Sequence, residues 1–178
     1  MARRLLEFDN PDRFVPGTIG PPGARIFFLQ ARQGRALVSV SLDKMQVAAL
    51  AERLRDLLGV VQPDGGGPDA GDQDPGADNL EEPLVDAFRV GSMALGWNPS
   101  SERIVIEATP AEADQDGSET EPGDPGESNL LRVSIPAPIA VAFVARVGAL
   151  LAAGRPICPF CGEVLGPGGH FCPRTILN

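Results

Sequence analysis

Seven short runs of the chain are rich in hydrophobic residues and are separated by polar or turn-forming residues, and this pattern predicts seven β-strands. A turn at Gln33 and Gly34 joins the third run to the fourth, which is typical of a β-hairpin. Hydrophobic residues instead recur at helical spacing in two longer segments, 44–60 and 138–154, so each half of the chain ends in a predicted helix. The predicted strands cover residues 3–8, 13–20, 24–32, 35–42, 87–99, 102–109 and 129–136.

The two predicted helices differ in how many of their faces are hydrophobic. In the first helix, Val47, Leu50 and Leu54 share one face and charged residues occupy the other, so we expect it at the protein surface. Ser41 or Asp43 can cap its N-terminus. The second helix is apolar on nearly every face, and we expect it to be buried between the sheet and the first helix.

The second half of the chain repeats the order of elements in the first half. An offset of 93 residues aligns 37–42 with 130–135 and places Arg53 on Arg146. On a different offset, Phe14 matches Phe88. We interpret these matches as an internal repeat. The predicted fold class is α+β, with two strand-rich antiparallel units, 1–62 and 84–155, that each end in a helix.

The formal net charge of −9 is unevenly distributed along the 178 residues. Two tracts, 63–82 and 111–129, together hold 14 of the 24 acidic residues and none of the 15 basic ones, so the rest of the chain is mildly basic. Both tracts are rich in glycine and proline and poor in hydrophobic residues, a composition typical of disorder. We therefore predict a disordered acidic linker over 63–83 and an acidic insertion over 111–129.

All three cysteines and the only histidine lie within one short C-terminal segment, 158–172. Structural zinc sites use four thiolate or imidazole ligands, and this segment supplies four such side chains at the spacing C-x2-C-x8-H-x-C. The sequence predicts a structural Zn²⁺ in a small knuckle over 156–178. A redox C-x-x-C pair, a catalytic zinc that releases one ligand, and another thiophilic metal remain alternatives. The predicted ligands are Cys158, Cys161, His170 and Cys172.

The sequence offers little that indicates catalysis. We find no nucleophile beside a base and no phosphate-binding glycine loop, so the interpretation leans towards a protein that is not an enzyme, without excluding one. The apolar segment 139–153 is shorter than the roughly 20 residues that cross a membrane. The start of the chain lacks the apolar region of a signal peptide, and a cytoplasmic location is the simplest expectation.

Three functional hypotheses follow for the α+β body. The first is a zinc-stabilised module that binds an unknown protein partner without catalysis. The second is a nucleic-acid-binding sheet, which would need a continuous basic surface. The third is an enzyme or small-ligand binder with a pocket between the repeats, in which Arg53 and Arg146 form an anion site. The arginines of the second hypothesis are Arg3, Arg4, Arg13, Arg25, Arg35, Arg103 and Arg132.

Three segments together resemble a known protein family. They are "LLEFDNPDRFVPGTIGPPGARIFFLQA" (5–31), "GWNPSSERIVIEA" (96–108) and "CPFCGEVLGPGGHFCPR" (158–174). The chain is similar to an actinobacterial family of unknown function whose members carry a CPxCG…HxCPR zinc-ribbon-like tail. The resemblance implies a cytoplasmic protein with a C-terminal zinc site, and it implies no activity.

Overall fold

The chain is described from a computed structural model that covers residues 5–21, 23–62, 79–111, 129–154, 161 and 172. All seven predicted strands and both predicted helices lie in these ranges. Most boundaries fall within one or two residues of those predicted. The elements are β1 (Leu5–Phe8), β2 (Arg13–Ile19), β3 (Ile26–Gln33), β4 (Ala36–Leu42), α1 (Lys44–Val61), β5 (Asp86–Asn98), β6 (Arg103–Pro110), β7 (Leu130–Ile135) and α2 (Ala137–Ala152).

The strands form one sheet of mixed direction, in the order β1-β7-β6-β5-β4-β3-β2. Three consecutive strands of each half are antiparallel, as predicted: β2 pairs with β3 and β3 with β4, while β5 pairs with β6 and β6 with β7. The halves are joined by parallel pairings, β4 with β5 and β1 with β7, which the expectation of antiparallel units did not include. The fold is therefore mixed α+β, with a helix after the strands of each half.

The sheet is strongly curled. β1 and β2 are its two edge strands, and a flat sheet would separate them by six strand spacings, or about 29 Å. Only five residue steps lead from Phe8 at the end of β1 to Arg13 at the start of β2, and five residues span at most about 18 Å. The edges must therefore approach each other. β1 indeed contacts β3, although four strands separate them in the sheet.

Hydrogen bonds from side chains hold the two sheet edges together across the turn between β1 and β2. On the side of β6 and β7, Arg103 donates to Asp9 O at 3.2 Å and to Asn10 Oδ1 at 2.7 Å. On the side of β3, Asn10 N donates to Gln33 Oε1 at 3.0 Å. The turn is thus bonded to both ends of the curled sheet.

The two halves share strand register as well as strand order. Phe27 of β3 lies opposite Leu42 of β4, and Ile104 of β6 lies opposite Ile135 of β7; all four side chains are buried. The residue pairs that follow along β3 and β4 match those along β6 and β7 one by one. β3 is thus the counterpart of β6, and β4 is the counterpart of β7.

The single strand β5 corresponds to β1 and β2 taken together. Its start pairs in parallel with β4, as β1 pairs with β7, and its remainder pairs antiparallel with β6, as β2 pairs with β3. Phe14 lies opposite Ala31, and Met93 lies opposite the counterpart residue Ala108. In this register Phe14 corresponds to Met93, whereas the predicted repeat matched it with Phe88.

The helices pack against each other and against the inner face of the sheet. α1 begins at Asp43, whose side chain accepts a hydrogen bond from Gln46 N while Gln46 Oε1 accepts one from Asp43 N. Its charged residues are exposed, as predicted. α2 contacts both α1 and β2, but residues on its far side are exposed, so the prediction that it is buried on nearly every face is wrong. The residues that face the common core are Val47, Leu50, Leu54, Ala140, Phe143 and Val147.

The remaining sequence predictions lie largely outside the described residues. These include most of both acidic tracts, 63–78 and 112–128, and most of the predicted knuckle. Residues 79–83, which were predicted to be linker, are described, and they lie on the sheet. None of the helices in the described part of the chain is long and apolar enough to span a membrane.

Candidate ligand and interaction sites

Residues 79–85, here called the strap, cover the outer face of β2 and β3, opposite the face that packs on the helices. Leu80 lies directly on Gly17 of β2: a Cβ atom at Gly17 would come within 2.6 Å of Leu80 Cδ2. A side chain of any size at position 17 would therefore displace the strap. Glycine at this position allows the close approach.

Gln30 of β3 fixes the strap to the sheet. Its side-chain Oε1 accepts a hydrogen bond from Glu81 N at 2.7 Å, and its Nε2 donates to Glu81 O at 2.9 Å. Nε2 also lies 3.1 Å from Ser39 Oγ on β4. Gln30 is only 1% exposed, so these bonds are formed away from water, where an unpaired amide would be costly.

The Glu81 carboxylate bridges two arginines of the strands beneath it. Arg13 and Arg32 lie directly opposite each other on β2 and β3, an arrangement that is unfavourable for like charges. Glu81 Oε1 lies 3.1 Å from Nη1 of each guanidinium and so offsets their repulsion. Arg13 also donates through Nη2 to Asn79 O. The strap ends at β5, where Asp86 accepts hydrogen bonds from the backbone and the hydroxyl of Ser41.

Gln30 and Ser39 form a row of paired residues across the sheet, and the corresponding row in the second half is charged and partly exposed. Gln30 lies opposite Ser39 as Glu107 lies opposite Arg132, and Glu7 of β1 lies opposite Arg132 on its other side. Arg132 lies 2.7 Å from Glu107 Oε1 and 3.5 Å from Glu7 Oε1. The hydrogen bond to Glu107 is the largest cause of a pKa of Arg132 above its ordinary value, followed by the charge of Glu107 and then by smaller contributions from Glu7.

The side chains around Arg132 form a surface that we call the open face. Several of its members are small, and Gly96, the counterpart of Gly17, has no described atom within 4 Å of the position that a Cβ would take. Ser92 and Thr109 bond to each other at 2.6 Å at the positions that correspond to Arg13 and Arg32. The open face comprises Glu7, Ser92, Ala94, Gly96, Val105, Glu107, Thr109, Arg132 and Ser134.

A cavity of about 350 Å³ lies between the edge strand β2 and α2. The rings of Phe14 and Phe143 stack beside it with centroids 5.0 Å apart. Arg146 reaches across from α2, and its Nε donates to Pro16 O at 2.7 Å. Arg13 and Arg32 line the same cavity. Arg146 also lines a second cavity of about 300 Å³ between β2 and the strap.

Comparison of the chain with protein-family models gives a match but indicates no activity. A family model described as "Protein of unknown function (DUF3090)" matches residues 6–172, which is nearly the whole chain. The chain belongs to the DUF3090 family. This confirms the resemblance to a family of unknown function. Searches of curated proteins and of solved structures found no match.

In this DUF3090 chain the two arginines of the predicted anion site have different surroundings. Arg146 is half-buried beside two cavities, whereas Arg53 is exposed on α1 and lines neither of them. The arginines that share a cavity with Arg146 are Arg13 and Arg32. Arg146 therefore stays a candidate residue with different neighbours from those predicted.

The predicted zinc ligands are only partly within the described residues. Cys161 is half-buried and Cys172 is buried, whereas Cys158 and His170 lie outside the described ranges. Among the side chains that the structure does describe, no cluster of three or more histidine, cysteine, aspartate or glutamate residues could hold a metal. The zinc site stays a prediction from the sequence.

Most arginines named for nucleic-acid binding donate to acceptors of the protein itself. Arg13 and Arg132 pair with carboxylates, as described above. Arg103 bonds to the β1–β2 turn, and Arg25 donates to Leu150 O at 3.4 Å. Arg35 is exposed, and Arg3 and Arg4 lie outside the described residues. A basic sheet surface stays a prediction that these contacts do not favour.

Two sequence signals for these sites were missed. Gln30 stands inside the apolar run of β3, and a central amide in a buried strand indicates a polar partner. Pro16 stands inside β2, and proline within a strand is typical of a sheet edge, because it cannot donate a backbone hydrogen bond. Together they could have located the strap and the β2–α2 cavity.

Proposed function

We propose that the protein is a non-enzymatic, zinc-stabilised interaction module whose open face binds a segment of a partner protein. The observation that carries this proposal is the strap. On the equivalent face of the first half, a segment of the chain itself that is neither helix nor strand is bound by Gln30, Gly17 and two arginines. The open face has the same strand register and a different set of side chains.

Gly96 provides a place for an apolar side chain of the partner. Its counterpart Gly17 accommodates Leu80, and the absence of a Cβ allows that close packing. At Gly96 the space is open within the described part of the chain. Ala94 and Gly96 are both exposed and present little side-chain bulk, so a partner's backbone can approach the sheet closely.

The charges on the open face favour a partner segment with hydrogen-bond donors. Gln30 can both donate and accept, whereas its counterpart Glu107 as a carboxylate only accepts. Glu7 adds a second carboxylate, and Arg132 is the single guanidinium between them. A segment that places a leucine-like side chain on Gly96 and a lysine or arginine near Glu107 is complementary to this surface.

This proposal is tested by crosslinking from the open face. A photo-reactive amino acid at position 96, expressed in the source organism, should yield one dominant crosslinked protein, whereas the same group at Ala49 on the exposed side of α1 should not. The purified partner should bind the wild-type chain and lose affinity for Gly96→Trp, with Ala49→Trp as the matched control. A partner that binds both variants equally would contradict the assignment.

The zinc component of the proposal rests on the ligand set in the tail. Three thiolates and one imidazole complete a tetrahedral shell, and a closed shell contributes folding energy rather than catalysis. We expect about one zinc per purified chain by elemental analysis, and a value below about 0.2 would contradict the site. Cys161→Ser should lose the metal, whereas Val164→Ser in the same tail should retain it.

A further inference from the structure

We propose that the cavity between β2 and α2 binds a small organic anion in which a carboxylate or phosphate group is attached to an apolar body. The site is distinct from the open face and does not depend on the interaction proposed there. Its volume of about 350 Å³ falls within the range of small-molecule sites. The apolar and the charged parts of its lining are considered in turn.

The apolar part of the lining combines buried and partly exposed side chains. Phe14 and Phe143 are 3% and 1% exposed, and their rings stack with an interplanar angle of 13°. Ile139 and Ala142 of α2 extend this surface along the cavity. Because the two rings are almost fully buried, an entering apolar group would contact mainly Ile139 and Ala142, which are partly exposed.

The charged part of the lining is predominantly basic. Arg13, Arg32 and Arg146 line the cavity, whereas Asp12 is its one carboxylate among the described residues. The Asp12 Oδ2 atom accepts a hydrogen bond from Gly34 N at 2.6 Å. Glu81 bonds to Arg13 and Arg32 from the strap without lining the cavity. The lining therefore favours an anion even with these carboxylates in place.

Arg32 is the residue best placed to recognise the anion. Its Nη1 lies 3.1 Å from Glu81 Oε1, and the residue lines the cavity. A guanidinium presents two parallel N–H groups that match two oxygens of a carboxylate or phosphate, so one bound oxyanion can form a bidentate contact with Arg32.

Calorimetric titration of the purified full-length chain with octanoate and with octyl phosphate tests the proposal. Octanol controls for the apolar chain alone, and inorganic phosphate controls for the anion alone. We expect saturable binding of at least one of the two amphipathic anions and weaker binding of both controls. Whichever anion binds more tightly identifies the head group. If neither binds saturably, or if octanol binds as well as they do, the proposal is overturned.

Two variants locate the binding. Arg32→Lys keeps the positive charge opposite Glu81 but removes the bidentate edge, and it should weaken binding about tenfold or more. Arg35→Lys changes an exposed arginine outside the cavity and should leave binding unchanged. Ala142→Phe fills the cavity without changing any charge and should also abolish binding. Equal affinities in Arg32→Lys, Ala142→Phe and the wild type would overturn the assignment.

Discussion

The outer faces of the two halves of the sheet share one strand register but differ in chemistry. In the first half, the central row consists of Gln30 and Ser39, both buried beneath the strap and joined by neutral hydrogen bonds. In the second half, Glu107 and Arg132 hold the equivalent positions as an ion pair, with about a third of each side chain exposed. One backbone arrangement therefore carries both a buried neutral row and an exposed charged row.

The difference shows how burial selects the polar groups of a sheet. A buried ion pair would lose hydration that its mutual attraction only partly restores, whereas an amide and a hydroxyl can be satisfied by a few hydrogen bonds. Where water reaches these residues, charged side chains lose little hydration and their ion pairs contribute little to stability. Substitutions at paired positions should therefore have unequal effects in the two halves.

The largest contrast is expected between Gln30→Met and Glu107→Met. The first substitution leaves the strap atoms Glu81 N and O without their partners, and we expect the free energy of unfolding to fall by about 3 kcal/mol. The second removes an exposed partner of Arg132, which retains Glu7, and should have a much smaller effect. Urea unfolding followed by circular dichroism measures both. Equal losses would mean that the strap does not bury its row in solution.

A second contrast uses the paired glycines. In Gly17→Ala the new methyl group collides with Leu80, and displacement of the strap should cost about 2 kcal/mol. In Gly96→Ala the methyl group meets open space, and the change should stay within about 0.5 kcal/mol. Thermal unfolding distinguishes the two. A loss at Gly96 as large as that at Gly17 would show that the open face is covered.

The two helix N-termini provide a third, smaller contrast. Asp43 caps α1 through its side chain, whereas Pro136 at the equivalent position makes no side-chain cap on α2. Asp43→Ala should lower the free energy of unfolding by about 1 kcal/mol, and Asp43→Asn should retain most of the stability because asparagine also caps well. Chemical denaturation of the two variants side by side checks this. A similar loss for both would assign the effect to the charge rather than to the cap.

The smallest effect is expected for the charged row itself. The pKa of Arg132 is raised, so its contribution is present below the ordinary arginine pKa and is lost only as the pH rises through the raised value in strong alkali. The stability difference between wild type and Arg132→Gln should thus be constant from neutral to mildly alkaline pH. Salt should reduce this difference. Arg35→Gln is the control, and denaturation at several pH values and salt concentrations gives the comparison.

Local patterns in the sequence predicted the elements well but not the neighbours of each strand. Helical spacing in α1 fixes which of its side chains face the core, and this prediction was correct. The pattern of hydrophobic residues within a strand does not indicate which other strand it pairs with. The parallel pairing of β1 with β7 therefore depends on contacts between the two ends of the chain and could not be predicted locally.

The candidate sites were harder to predict because the composition around their residues is typical of other features. Glu81 lies within an acidic, glycine-rich tract that has the composition of a linker, yet the last residues of the tract are fixed by Gln30. Arg53 and Arg146 were paired by sequence offset, but their surroundings differ because α2 lies against β2. A buried glutamine and an in-strand proline carried more information about sites than the charge pattern did.

The pairing of β1 with β7 also has a consequence for synthesis on the ribosome. β1 emerges well before its partner Leu130–Ile135, which follows more than a hundred residues later. A nascent chain that carries only the first half therefore has no partner strand for β1 and an open edge at β4. We expect such chains to depend on chaperones or to aggregate, and truncation before β7 should leave β1 unpaired.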